Sequence, residues 1–328
     1  MTKPTVQKGR AGSSAAVGRP AKGTGDNTNG KHAKRVKVFV AAAQSESTRT
    51  GYAADVRHFK RCGGKIPATP EKVAEYLAQN EHLAVATLQR RLVAIHRAHV
   101  DAGHDSPVRD TLVRRTMQGI RRTFGVAQRR VRALVRDDLL EVLLAVAKQR
   151  PMKAARDKAL LLVGFAGAFR RSELVALAVE DVSPHSHGLE LLLRRSKTDQ
   201  EGMGRTVFIP MAKAAERCPV IALRAWLEAA GIGSGPLFRA VNRHDQVSAR
   251  GMTGQSVALI VKSAVAAAKG ADAARDVAGH SLRAGFVTEA AITGMATATI
   301  MGQTGHKSLE MVMRYVRPVE KRRIASLL

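Results

Sequence analysis

From about Val36 to Thr123, apolar side chains recur every three or four positions with charged ones between them, the period of amphipathic helices. Ser47–Phe59 reads as one helix. Thr69 and Pro70 open another that runs to Leu77, with the threonine as N-cap and the proline at the first helical position. A third apolar series spans Ala86 to Val100, and Gly103 and Pro107 then interrupt it. Four or so short helices over residues 36–124 predict a small bundle. Residues 1–35 are rich in Gly, Lys, Ser, Thr and Pro, hold almost no large apolar side chain, and are expected to be disordered. They lack a continuous apolar h-region, so a secretory signal is not expected.

A basic stretch, residues 125–135, separates this bundle from a second domain, residues 136–328. Arg136–Leu144 predicts a helix with acids in its first turn, where they complement the helix dipole. Ala155–Ala168 is apolar enough for a buried helix. Leu189–Leu193 and Arg205–Pro210 read as two strands around a polar turn that carries Lys197. Helical patterns resume through Trp226, then over Ser256–Lys269, Ser281–Thr293, Thr297–Gly302 and Ser308–Val316. The expected fold class is mainly α: a helical N-terminal domain plus an α-rich domain with one small antiparallel sheet.

Charge narrows the partner. A formal net charge of +27 implies a polyanion, with nucleic acid as the default and binding that weakens steeply with salt. Aromatic residues are only 4%, a poor basis for stacking on single-stranded bases, so duplex DNA is the expected partner. No apolar run approaches the roughly 18–20 residues that span a bilayer. Cys62 and Cys218 stand far apart and outside any metal-ligand spacing, which predicts a cytoplasmic, disulfide-free protein. His96, His99 and His104 lack accompanying cysteines or carboxylates at ligand spacing and read as helix-face and loop histidines rather than zinc ligands.

Candidate chemistry lies in the second domain. Cleaving a phosphodiester builds negative charge on two nonbridging oxygens, which fixed cations and hydrogen-bond donors must meet. Arginine suits this because its planar fork can hold two oxygens and stays charged. Arg170 lies in Gly167-Ala-Phe-Arg-Arg-Ser-Glu-Leu174, and Arg283 closes His280-Ser-Leu-Arg283, whose spacing puts imidazole and guanidinium on one helix face. Tyr315 could supply the attacking hydroxyl and Lys197 the proton for the leaving oxygen.

Plainer readings exist for each. Arg171 reads as a surface or DNA-facing charge, and Lys197 as an ordinary turn lysine. Glu173 could simply pair with a neighbouring arginine, and His306 could cap a helix. Tyr315 could belong to the apolar stripe that Leu309, Val312 and Val316 mark. Order and spacing together favour the catalytic reading: of Tyr52, Tyr76 and Tyr315, only the last follows all the other candidate residues.

Over roughly residues 36–328 the chain resembles the tyrosine recombinase (phage integrase) family. GAFRRSEL resembles that family's first arginine box, GHSLRAGF its His-x-x-Arg box, and Gly305-His306 followed by Tyr315 its closing box. Arg170, Lys197, His280, Arg283, His306 and Tyr315 fall on the family's six functional positions, and Glu173 on a supporting acidic one. After Arg283 the family commonly continues with a histidine and a hydroxyl residue, where this chain has Ala284-Gly285.

The resemblance implies a core DNA-binding domain over 36–124 and a catalytic domain that forms a 3′-phosphotyrosyl intermediate without cofactor or metal. It also implies a homo-oligomer, a tetramer on two DNA sites, with the segment beyond Tyr315 docking on a neighbouring protomer through Ile324, Leu327 and Leu328. The need for accessory proteins, the target sequence and the direction of the event stay open. Two rival readings remain: a type IB-like topoisomerase, and a non-catalytic DNA-binding protein.

Overall fold

The computed structural model describes residues 27–126, 131–194 and 204–321, and the chain divides into two compact units, Met1–Gln128 and Arg129–Leu328. The first unit holds α1 (Asn27–Ala42), α2 (Glu46–Arg61), α3 (Pro70–Gln79), α4 (Val85–Asp101) and α5 (Thr111–Phe124). Ser45 and Thr69 cap α2 and α3, each hydroxyl accepting the backbone N–H three residues on. Phe59, Val73, Tyr76, Leu77, Leu88, Ile95, Val113 and Met117 interlock as the core.

One expectation changes here and another is refined. Helix α1 begins at Asn27, so residues 27–35 are helical rather than disordered: lysine, arginine and alanine favour a helix even without apolar anchors, and they extend the turn that starts the Val36–Val40 run. His99 does lie on a helix, α4, but on its fully buried face. Its Nδ1 donates to the Ile95 carbonyl at 2.7 Å and its Nε2 accepts the Ala68 N–H at 2.9 Å, so both ring nitrogens serve the core. On α5, Val113, Met117 and Ile120 face inward while Arg114, Arg115, Arg121 and Arg122 are exposed, and Gly125 ends the helix at φ +75°.

The second unit runs α6 (Arg136–Val146), α7 (Pro151–Ala166), α8 (Arg171–Ala176), β1 (Val182–His185), β2 (Gly188–Leu193), β3 (Arg205–Pro210), α9 (Pro219–Ala229), β4 (Arg239–Val241), β5 (Val247–Gly251), α10 (Gly254–Lys269), α11 (Ala271–Arg275), α12 (Ser281–Ile292), α13 (Thr297–Thr304) and α14 (Leu309–Lys321). Strands β1, β2 and β3 form an antiparallel sheet in which Leu193 pairs with Arg205, so β2 and β3 are joined in register up to those two residues. A second ribbon, β4–β5, goes beyond the single expected sheet. Its strands are too short to show a period of two. Helix α7 is buried from Ala159 to Gly164 and anchors the main core with Leu174, Leu191, Val207, Trp226 and Val261.

A separate small apolar cluster, Val287, Ala290, Ile300, Val312, Val316 and Val319, packs α12, α13 and α14 together. Leu309, expected on the same stripe, is the first residue of α14 and is 55% exposed, outside this cluster.

The Gly285 half of the Ala284-Gly285 departure fits a steric constraint. The chain entering the unit lies flush on α12, with the Leu134 N–H donating to the Ser281 carbonyl at 3.0 Å. A Cβ on Gly285 would sit 1.9 Å from the Leu134 carbonyl oxygen. Gly285→Ala is therefore expected to destabilise the protein by about 1–3 kcal/mol, the scale of overpacking, despite alanine's better helix propensity. The check is a lowered urea midpoint at unchanged m-value.

Candidate active site

The first arginine box is shaped by its backbone. Ala168 adopts φ +49°, a left-handed conformation that costs a non-glycine residue of order 1–3 kcal/mol and persists only where surroundings enforce it. Enforcement comes from Phe169, whose ring is buried and lies so close to Gly167 that a Cβ there would meet it at 2.1 Å. The kink sends Phe169 into the core and leaves Arg170 as the residue that caps α8. Glu173, 2% exposed, accepts the Arg170 backbone N–H at 2.9 Å and also accepts from Arg170 Nη1. The carboxylate thus pairs with Arg170 itself and braces both its main chain and its guanidinium.

The same kink turns the Ala168 carbonyl toward α12, where it accepts from Arg283 Nη1 at 2.8 Å. Arg283 is 1% exposed, and its Nε and Nη2 are buried with no hydrogen-bond partner among the described residues. Burial, then the like charge of Arg170, lowers its pKa to about 10, against the opposing pull of Glu173. A buried guanidinium with two unspent donors beside a second arginine is poised for an anion with several acceptor oxygens.

Tyr315 extends from α14 into this cluster, its hydroxyl 2.9 Å from His280 Nε2. Although His280 as a residue is exposed, the protein packed around it desolvates the imidazole. This effect, followed by the charges of Arg283 and Arg170, lowers its pKa and favours the neutral ring that can accept the tyrosine's hydrogen.

His306 follows Gly305, the left-handed residue at φ +65° that ends α13. Burial comes first, then Arg283, Arg170, His280 and Arg205, in lowering its pKa to about 4. The unfolded chain would titrate near 6.5, so between that pH and about 4 it binds a proton the native ring refuses, and stability falls as pH falls across this window. Above pH 6.5 the ring is neutral in both states and adds no slope. Urea unfolding as a function of pH should show this component in the wild type and not in His306→Asn.

The structure therefore gathers Arg170, Glu173, His280, Arg283, His306 and Tyr315 at one place, and Lys197 lies outside the described residues. Sequence reasoning missed Arg205. It opens β3 on the same face as the buried Val207 and Ile209, and a charge on the apolar face of a strand was the available signal. Its guanidinium donates to the Gln303 carbonyl at 3.0 Å, lies 3.8 Å from Glu173, and sits where a Gly305 side chain would project. Burial, then the charge of Arg170, lowers its pKa. Gln303 adds a second tie, its amide donating to the Ala166 and Phe208 carbonyls at 2.9 and 3.0 Å. Together they fasten the end of α13, and with it His306, to β3 and α7.

The model of the phage integrase family matches residues 134–322. The chain is 39% identical to an integrase/recombinase xerD homolog of Selenomonas ruminantium over 86% of this chain and 84% of that protein. It is 26% identical to the recombinase cre of Escherichia phage P1 over 78% of each. Among solved structures it resembles a lambda integrase (75–356) dimer bound to a COC′ core site (TM-score 0.59, 17% identity, 92% of this chain and 98% of that one). It also resembles a XerH site-specific recombinase bound to palindromic difH substrate (TM-score 0.57, 18% identity, 77% and 70%). The mainly helical fold with small antiparallel sheets is the one these proteins share, and by the family match and the extent of the first relative's identity this chain belongs to the phage integrase family of tyrosine recombinases.

Proposed function

We propose that the protein is a site-specific recombinase that cuts and rejoins duplex DNA through Tyr315. The observation that carries this is the Tyr315 hydroxyl held 2.9 Å from His280 Nε2, beside a buried Arg283 with two unspent donors. In the first half-reaction the Tyr315 oxygen bonds to phosphorus as the bond to the 5′ oxygen breaks. His280 takes the phenolic proton, and Lys197 gives one to the leaving 5′ hydroxyl. Arg170 and Arg283 meet the charge on the nonbridging oxygens. Attack by another strand's 5′ hydroxyl on the 3′-phosphotyrosyl bond reverses each transfer, so the bond energy is conserved and no nucleotide cofactor is consumed.

Both relatives are named as recombinases, and the two solved neighbours are bound to a palindromic difH substrate and a COC′ core site. The exposed arginines of α5 offer phosphate contacts on the first unit, read as the core-binding domain. Assembly of four copies on two sites, docking by the segment after Tyr315, and a cytoplasmic location complete the reading. Among the described residues no helix is long and apolar enough to cross a membrane.

The test is a labelled suicide duplex carrying a candidate site, incubated in EDTA and run on a denaturing gel. A covalent adduct supports tyrosine strand transfer, and joining of two substrates then separates a recombinase from a topoisomerase that only relaxes supercoils. Tight, salt-sensitive binding with no adduct on any duplex would favour a non-catalytic DNA-binding protein.

A further inference from the structure

Thr304, the last residue of α13, is fully buried two positions before His306. Its hydroxyl oxygen lies 2.6 Å from the Ile300 carbonyl oxygen and 2.8 Å from His306 Nδ1. A hydroxyl carries one hydrogen. Two oxygens at 2.6 Å without a hydrogen between them would repel, so that hydrogen belongs to the Ile300 contact, a threonine bonding back one helical turn. The hydroxyl then has only lone pairs for Nδ1, and the hydrogen in the second contact must sit on the ring.

From this relay we infer that Thr304 is a positioning residue that fixes His306 as the Nδ1–H tautomer, presenting its Nε2 lone pair as an acceptor. The inference rests on the strand-transfer reading above and refines it. A neutral His306 with this tautomer cannot donate to a nonbridging phosphate oxygen, so that role falls to Arg170 and Arg283. The ring can add a second donor only after taking up a proton, which the four cationic or basic neighbours Arg283, Arg170, His280 and Arg205 oppose in the absence of a phosphate.

Gly305 and Arg205 make the relay rigid. The left-handed Gly305 turns the chain back so that the ring reaches its own helix end, and its N–H donates to the Met301 carbonyl at 2.7 Å. Arg205 holds the neighbouring Gln303 carbonyl.

The test is a long-range nitrogen–proton correlation spectrum of the full chain labelled at histidine, at neutral pH without DNA, with His306 assigned by its absence in His306→Asn. The expected result is a pyrrole-type Nδ1 and a pyridine-type Nε2. Thr304→Val should lose that preference and slow single-turnover adduct formation roughly 10- to 100-fold at unchanged duplex affinity, the usual scale for removing a partner that orients a functional histidine. Thr304→Ser, which restores the hydroxyl, should recover both. A pyridine-type Nδ1 in the wild type overturns the inference, and so does a Thr304→Val protein that keeps the wild-type tautomer and rate. The wild-type spectrum decides even where Thr304→Val fails to fold. It requires no turnover, so a chain that shows the expected tautomer yet forms no adduct overturns the strand-transfer reading instead.

Discussion

Tyr315→Phe is expected to abolish the covalent protein–DNA adduct while leaving duplex binding intact. The change removes one oxygen. The ring packs against the cluster of Val287, Ile300, Val312 and Val316, and phenylalanine fills the same space, so α14 should stay in place. What disappears is the group bonded to His280 Nε2. Loss of a nucleophile costs on the order of 10⁶-fold in rate, which drops the adduct below detection on a denaturing gel. Binding, carried mainly by cations along the phosphate backbone, should keep its affinity and salt dependence. An adduct of undiminished yield from the variant would mean that another residue attacks.

Arg283→Lys should give the second-largest loss, and it separates charge from geometry. The ammonium keeps the positive charge, so duplex affinity should change little. Yet lysine cannot both hold the Ala168 carbonyl and offer two parallel donors to phosphate oxygens, as the buried fork can. Because those donors matter most as charge builds on the nonbridging oxygens, the cleavage rate should fall by roughly 10²–10³-fold, the scale for one preorganised donor in a transition-state site. Single-turnover cleavage at saturating duplex isolates this term. A variant that loses affinity and cleavage in equal measure would show that Arg283 serves ground-state binding alone. Because Arg283 is tied to the Ala168 carbonyl, two residues from Arg170, effects at the two arginines are expected to be non-additive.

Much of this was legible in the residues. Thr69 and Pro70 marked a helix start because capping is local chemistry, settled by a side chain and the next few N–H groups. The alternation of Arg205–Pro210 marked β3 with the bounds observed. The ribbon of β4 and β5 escaped because three to five residues carry no readable period, and α1 ran past its expected start because helix propensity does not need apolar anchors. Leu309 matched the stripe by spacing and still faces solvent, since the period says which residues share a face and not how much of that face other segments cover.

The sequence alone pointed to the class of chemistry: two arginine boxes, two histidines and a late tyrosine, which bring cations and a hydroxyl suited to a phosphate in the order that resembles the tyrosine recombinase family's boxes. Tertiary structure decided the rest. Only the packing of Phe169 shows that Ala168 is bent so its carbonyl meets Arg283, and only the fold brings Arg205 from β3 to the end of α13. Gly285 looked like a departure until the Leu134 carbonyl was found against it, and Thr304 looked like an ordinary helix residue until its oxygen was found between a carbonyl and an imidazole. The physical reason is common to all four. Spacing along a chain reports which residues share a local face, whereas hydrogen-bond partners, buried charge and steric exclusion depend on atoms that distant segments bring within a few ångströms.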